Sequence, residues 1–273
     1  MVKIGLIIDE YHLSKKVQEF LNYLKNKADI SYYIEEEFLL DKLSSHKFDE
    51  DLFFVKGRGD LMIWLAENIE RETNIPVINP SRGIWLSMHR FLNSTLLRNE
   101  GINVPDFSLV PMNVAPPYSE YIIKNIIDQK NYAFKPQIVK ERGKIQVSDK
   151  RALTEAVKKK EEYKFYFYQE FVKSKWEYKI YGVGEDLYFY KQLPVLVNPN
   201  KMESRQKIDR IPELEDLSLR AMETINLKLA SIDFLKSKEG LFYLTDINST
   251  PNFNYMENGH KKVADFLLKE AKT

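Results

Sequence analysis

Residues 231–251 constrain this chain most. They read Ser-Ile-Asp-Phe-Leu-Lys-Ser-Lys-Glu-Gly-Leu-Phe-Tyr-Leu-Thr-Asp-Ile-Asn-Ser-Thr-Pro, two apolar runs around a charged, glycine-containing turn, which predicts a β-hairpin. Each run carries oxygen ligands where Val, Ile or Phe would pack better. Asp246 and Asn248 are two residues apart, so on a strand both project from one face. A tight Glu239-Gly240 turn sets Asp233 opposite Asp246. Any even-length turn keeps all three on one face, and an odd one separates them. Two carboxylates and an amide are hard donors that suit Mg²⁺, an ion that keeps several waters and shares its shell with nucleotide phosphates. The competing reading is a polar strand exit, since Asp, Asn, Ser and Pro all favour turns.

Charge and composition set limits on the rest. Lys plus Arg number 41 and Asp plus Glu 40, leaving a formal charge of +1, so no global field favours nucleic acid or a membrane surface. An anionic ligand therefore needs a local basic cluster. With 273 residues and 44% hydrophobic content the chain can bury a sizeable core, in one large or two modest domains. The lack of cysteine excludes disulfides, thiolate catalysis and Cys-ligated zinc, and favours a cytoplasmic setting. The apolar run at residues 4–8 is too short for a signal peptide or membrane span and reads as a buried first strand.

Strands and helices alternate from there. Residues 3–8 predict a strand, and Ser14 precedes an apolar stripe of Val17, Phe20, Leu21 and Leu24 that predicts a helix. Lys15 and Lys16 then stand at a strand-to-helix corner, where the helix dipole disfavours cations unless an anion or solvent meets them. Residues 30–34, 51–55 and 76–78 read as further strands. The segment Lys56-Gly57-Arg58-Gly59-Asp60 is basic but lacks the spacing of a P-loop or a dinucleotide fingerprint. A helix through Leu97 stops at Gly101, and the proline-rich residues 111–117 read as loop. Residues 131–135 predict a strand with Lys135 before Pro136, then a charged turn at 140–144. A lysine there either belongs to a solvated hairpin or holds a nucleotide phosphate as a point charge. Residues 152–160 form a basic, solvent-facing helix. Residues 165–172, Phe-Tyr-Phe-Tyr-Gln-Glu-Phe-Val, are an aromatic strand interrupted by Gln169 and Glu170. It is either core or the apolar slot with edge hydrogen bonds that adenine requires. Residues 178–183 and 187–193 alternate around Lys179 and Lys191, so both lysines project from a sheet. A helix at 213–225 leads into the hairpin, and another closes the chain.

In order, Lys135-Pro136, Gln169-Glu170-Phe171-Val172, Asp233 and Asp246-Ile247-Asn248 with Pro251 resemble the ATP-grasp superfamily over essentially the whole chain. The resemblance implies an α/β fold with an N-terminal α/β pre-grasp domain (1–85), a small central α+β domain (86–172) and a C-terminal sheet domain with the metal site (173–273). Mg-ATP is clamped between the last two. Within the superfamily the chain is similar to the inositol phosphate kinases of ATP-grasp type. Asp246-Ile247-Asn248 stands where the ligases carry Glu-x-Asn, Arg90 where they begin with Asp-Lys, and Lys179 where they favour arginine. Leu13-Ser14-Lys15-Lys16 and the run from Phe48-Asp49 to Lys56 also resemble kinase segments. The chain departs at 140–146, which lacks the kinases' Gly-x-x-x-Ser-His, and at Pro251-Asn252-Phe253, which replaces Pro-Gly-Tyr. By this resemblance Asp233, Asp246 and Asn248 hold Mg²⁺, while Lys135, Arg90, Gln169, Glu170 and the Val172 backbone hold ATP. Arg90 and Lys179 serve catalysis, and Lys15, Lys16, Lys56, Lys179 and Lys191 converge on a small anionic acceptor. The expected activity is phosphoryl transfer from Mg-ATP to that acceptor, an inositol phosphate. The alternative is the ribosomal-protein glutamate ligase type, which joins a carboxylate to an amine through an acyl phosphate. A nucleotide-binding regulatory module is a third reading.

Overall fold

The computed structural model describes residues 1–37, 47–111, 114–128, 137–139, 165–194 and 202–272. Strands β1 (Val2–Ile8), β2 (Ala28–Ile34), β3 (Leu52–Lys56) and β4 (Val77–Ile78) form a parallel sheet in the order β2-β1-β3-β4. Helices α1 (Glu10–Lys15), α2 (Gln18–Leu24), α3 (Asp60–Glu72) and α4 (Ser81–Met88) surround it. Strands covered on both faces read as unbroken apolar runs, and β1 is such a strand. Its Ile4, Leu6 and Ile8 pack with Phe20 and Leu24 of α2, whereas Ile7 packs with Leu65, Ile69 and Ile84 of α3 and α4.

The first helix begins earlier than Ser14. Asp9 caps it, with Oδ1 accepting the His12 N–H at 2.7 Å, and Lys16 occupies the C-terminal cap. Lys15 and Lys16 thus lie between the end of α1 and the start of α2, whose N-terminal cap is Val17: α1 fills the expected strand-to-helix corner, and the dipoles of the two helices act on these cations in opposite senses.

Helix α5 (Arg90–Asn99) leads to an antiparallel sheet of β5 (Phe107–Pro111), β6 (Tyr121–Lys124), β7 (Gln137–Val139) and β8 (Phe165–Glu170), in the order β5-β8-β6-β7. Neither β5 nor β6 is predicted from the sequence pattern. The strand expected at 131–135, the turn at 140–144 and the helix at 152–160 lie outside the described residues.

The last sheet is antiparallel, with β9 (Glu177–Val183), β10 (Asp186–Gln192), β11 (Gln206–Lys207), β12 (Leu229–Lys236) and β13 (Phe242–Asn248) in the order β11-β10-β9-β12-β13. One face, with Ile180, Phe189, Ile232, Phe234 and Ile247, packs on α6 (Pro212–Ile225). That helix has Pro212 in its first turn, Glu213 and Glu215 at its positive end, and Asn226 in the left-handed cap position at φ 61°. Tyr181, Val183, Tyr190 and Leu229, on the opposite face, share a core with β1, β3 and the closing helix α7 (Gly259–Glu270). Among the described residues no helix is long and apolar enough to cross a membrane.

Asn79, at the end of β4, locks the two ends of the molecule together. Its Nδ2 donates to the Leu229 and Ser249 carbonyls at 2.7 Å, and its Oδ1 accepts the Lys228 and Leu229 N–H groups at 2.8 Å. The buried Ser87 hydroxyl adds a 2.9 Å bond to the Ser249 hydroxyl. The segment that follows Asn248 is therefore fixed by residues from the N-terminal third of the chain.

Candidate active site

Asp233 on β12 pairs with Lys179 on β9 and with Asp246 on β13, so the three form one transverse row across neighbouring strands. Tyr181, Ser231 and Asn248 form the next row on the same face. The hairpin connection is five residues, 237–241, between the paired Lys236 and Phe242. An odd connection should separate the ligands, but the register shifts by one residue between Asp233 and Phe234. A β-bulge at Thr245 absorbs the extra residue and restores Asp246 to its place opposite Asp233. The Thr245 hydroxyl donates to the Asp233 carbonyl at 3.1 Å, which holds the bulge.

The row has unequal electrostatics. Lys179 Nζ lies 2.5 Å from Asp233 Oδ1. Burial disfavours the Lys179 ammonium, but Asp233 outweighs it and raises the pKa above the ordinary lysine value. Asp246 has no hydrogen-bond or ion-pair partner among the described residues. Burial, and then the charge of Asp128, push its carboxyl above the ordinary range against the pull of Lys124 and Arg90. Asn248 Oδ1 accepts the Thr250 N–H at 2.9 Å and keeps a second lone pair. A buried carboxylate without a partner beside a second carboxylate and an amide oxygen is a donor set that fits Mg²⁺. Among the described residues no three His, Cys, Asp or Glu side chains cluster closely enough to hold a metal, so the remaining ligands would come from a phosphate or water.

The lysine that reaches this row from the central sheet is Lys124, the last residue of β6. Its buried Nζ donates to Gln169 Oε1 at 2.8 Å and to the Thr245 carbonyl, at the bulge, at 3.3 Å. Burial pushes its pKa down to about 8, with Asp246 pulling the other way. Beyond it, Asp128 bridges two guanidiniums. Its Oδ1 accepts from Arg90 Nη2 and its Oδ2 from Arg58 Nη1, each at 2.5 Å, while Arg90 Nη1 donates to the Asn125 carbonyl at 2.9 Å. Burial opposes ionisation of Asp128, but Arg58 and Arg90 prevail and hold its pKa below the ordinary value. The Arg90 Nε is buried without a hydrogen-bond partner.

The remaining expected residues divide. Gln169 is buried, and its amide oxygen accepts from Lys124. Glu170 is exposed, and its N–H donates to the Asp106 carbonyl at 2.7 Å. Val172 lies in the connection from β8 to β9, and its main-chain groups have no hydrogen-bond partner among the described residues. Lys135 lies outside the described residues.

Two lysines leave the expected acceptor cluster. Lys56 is buried and donates to the Thr250 and Pro251 carbonyls at 3.2 and 2.5 Å, so it ties β3 to the segment after Asn248. Burial pushes its pKa down to about 7, with Arg58 and Lys16 adding to the effect. Lys191 pairs with Tyr178, one residue out of phase with Lys179, and projects from the opposite face, its Nζ 5.0 Å from the Trp176 ring centroid. Of the five lysines expected at the acceptor, only Lys179 belongs to the row.

The sequence pattern missed Lys124, Asp128 and Arg205. Lys124 had one signal, a lone lysine ending the apolar run Tyr121-Ile122-Ile123. Asp128 had none, because its role depends on two arginines 70 and 38 residues away. Arg205 sits in a polar stretch that reads as a loop, yet it bonds to Gln192 and Tyr181.

No family model matches the chain. The chain is 25% identical over 210 residues to the tetrahydromethanopterin:alpha-L-glutamate ligase of Methanocaldococcus jannaschii, covering 72% of this chain and 70% of the relative. Among solved structures, a RimK domain ATP-grasp protein from Sphaerobacter thermophilus superposes with a TM-score of 0.71 at 14% identity, over 98% of this chain and all of the other. D-alanine–D-alanine ligase from Bacillus anthracis, complexed with ATP, gives 0.70 at 16% identity, over 100% and 98% of the two chains. The ATP-grasp ligase PsnB, with a minimal precursor, Mg and ADP, gives 0.68 at 13% identity, over 98% and 97%. The chain has the ATP-grasp fold.

Proposed function

We propose that this chain is an ATP-dependent carboxylate–amine ligase. A substrate carboxylate oxygen attacks the γ-phosphorus of ATP and the bond to the ADP oxygen breaks, leaving an acyl phosphate. An amine then attacks the acyl carbon, phosphate departs with the bonding pair, and the amine gives up a proton as the amide forms. The single observation that carries the reading is the row of Lys179, Asp233 and Asp246, with Lys124 delivered to it from the facing sheet.

Each residue's work follows from its place. Asp233, Asp246 and Asn248 would hold Mg²⁺, which when bound neutralises phosphate charge. Lys124, fixed by Gln169 and the Thr245 carbonyl, is a buried cation next to those ligands and suits the nucleotide phosphates. Lys179, on the other side of Asp233, suits the oxyanion that forms as the phosphoryl group moves. The Val172 main chain, without a hydrogen-bond partner among the described residues, suits an adenine edge.

The tethering of Lys56 and the outward face of Lys191 favour a ligase over a kinase acting on an inositol phosphate. Such an acceptor carries several phosphates and needs several convergent cations. Lys56 is bonded to the Thr250 and Pro251 carbonyls and Lys191 projects from the opposite face, which leaves Lys16 beside Lys56 and Lys179 in the row. The names of the similar proteins point the same way, because the Methanocaldococcus and Bacillus proteins are named ligases.

The test is ADP release from Mg-ATP over a panel of carboxylic acids and amines, L-glutamate included, with inositol phosphates as a separate arm. Release that requires both an acid and an amine supports the proposal. Release with an inositol phosphate alone refutes it.

A further inference from the structure

We infer that Arg205 binds the oxyanion of the substrate, first its carboxylate and then the acyl phosphate it becomes. The inference rests on the ligase reading and deepens it.

The guanidinium is held on three sides. Nε and Nη2 both donate to Gln192 Oε1, at 2.9 and 2.6 Å, and Nη1 donates to the Tyr181 hydroxyl at 3.1 Å. The Tyr255 ring centroid lies 5.2 Å from its Cζ. Gln192 is fully buried, and its Nε2 donates to Glu177 Oε1 at 2.6 Å, so the acceptor that fixes the arginine is itself fixed. The Ser204 hydroxyl, one residue before Arg205, accepts the Leu193 N–H at 2.9 Å and anchors the backbone. Holding a side chain with this much rotational freedom costs entropy that a purely solvated arginine would not spend.

The charge nonetheless goes unanswered. Among the described residues Arg205 has no carboxylate partner, and its three bonds go to neutral oxygens. A guanidinium has five N–H donors. Three are used, which leaves one on each terminal nitrogen, a spacing that matches the two oxygens of a carboxylate or phosphate.

Its location names the oxyanion. Gln192 pairs with Glu177, and Tyr181 is four residues further along the same face of β9. A guanidinium that bonds to both lies over the intervening position, which is Lys179. Arg205 therefore flanks Lys179 on the β10 side, while Asp233, Asp246 and Lys124 lie on the β12 and β13 side. The nucleotide phosphates belong with the metal ligands, so the anion on the far side of Lys179 is that of the substrate.

Two measurements decide the matter. The first is steady-state kinetics of R205Q and R205K with the acid and amine that support ADP release, together with direct binding of Mg-AMPPNP. Loss of a charged, paired hydrogen-bond donor raises the KM for the acid roughly ten- to a hundredfold, with AMPPNP affinity unchanged, and R205K recovers part of the loss. Y181F, which removes a single hydroxyl, gives a smaller rise in the same KM. An unchanged acid KM, or a loss of AMPPNP affinity instead, overturns the inference. The second needs no turnover: titration of inorganic phosphate into the AMPPNP-loaded protein. Weaker binding by R205Q than by wild type supports the anion site even if no acid and amine pair is joined, an outcome that would remove the ligase reading alone. Equal binding overturns the inference.

Discussion

Asp233 and Asp246 face each other across β12 and β13 only because Thr245 is an extra residue in the second strand. An unbroken ladder from the Lys236–Phe242 pair would set Thr245 opposite Asp233. The bulge moves the carboxylate into the row and leaves the Thr245 carbonyl for Lys124. T245V keeps the shape and removes the hydroxyl that donates to the Asp233 carbonyl. It should cost about 1 kcal/mol in urea unfolding and lower kcat more than the KM for ATP. Unchanged kcat would mean that the hydroxyl does not hold the bulge in place.

D246N tests the unpartnered carboxylate. Folding disfavours its charge, as the raised pKa reports, so the amide should leave thermal stability unchanged or raise it. Mg-dependent ADP release should fall by roughly a thousandfold, since a neutral amide is a weaker ligand for a hard cation. A folded D246N enzyme with near-normal turnover would remove Asp246 from the metal set.

Much of this site was legible in the sequence, and the limits have a physical basis. The two-residue step from Asp246 to Asn248 and the hairpin pairing with Asp233 depend on local periodicity, which a sequence carries directly. Turn length and bulge position depend on how Phe242, Leu244 and Ile247 seat in the core against α6, and only the packed sheet settles that. Lysine roles were the least legible. Lys56, Lys124 and Lys191 look alike in sequence, but burial makes the first a tether, the second a buried cation beside Asp246, and strand parity turns the third to the other face.

Strand parity makes a paired prediction. K191M should leave kcat and both KM values within about twofold, because Lys191 stands over Trp176 on the face away from the row. K179M should abolish ADP release while leaving AMPPNP binding largely intact, since it removes a cation matched to the reacting group. Equal losses in the two variants would contradict the register of β9 and β10.

The Arg58–Asp128–Arg90 clamp joins the segment after β3, the start of α5 and the segment after β6. D128N leaves both guanidiniums without their carboxylate. Because Asp128 is 27% exposed, the cost should be about 2 kcal/mol, below that of a fully buried pair. Its folded pKa lies below the ordinary value, so its stabilisation is present above that value and disappears as pH falls through the folded pKa. Wild type should lose stability in that acid window faster than D128N in urea unfolding; parallel curves would contradict the clamp.

Lys56 gives a dependence of the same sign, at alkaline pH. Its pKa falls from 10.5 to about 7 on folding, so between those values the unfolded chain holds a proton that the folded chain lacks. Stability therefore rises as pH increases from 7 towards 10, by about 1 kcal/mol per pH unit from this residue. Below pH 7 both states are protonated and the burial cost is complete; above 10.5 neither state is protonated and no cost remains. K56M removes the titration but also the two bonds to the Thr250 and Pro251 carbonyls. The informative quantity is thus the slope of unfolding free energy against pH, not its value at one pH. Urea unfolding across this range should show a shallower rise for K56M than for wild type. An identical slope would mean that the Lys56 ammonium reaches water.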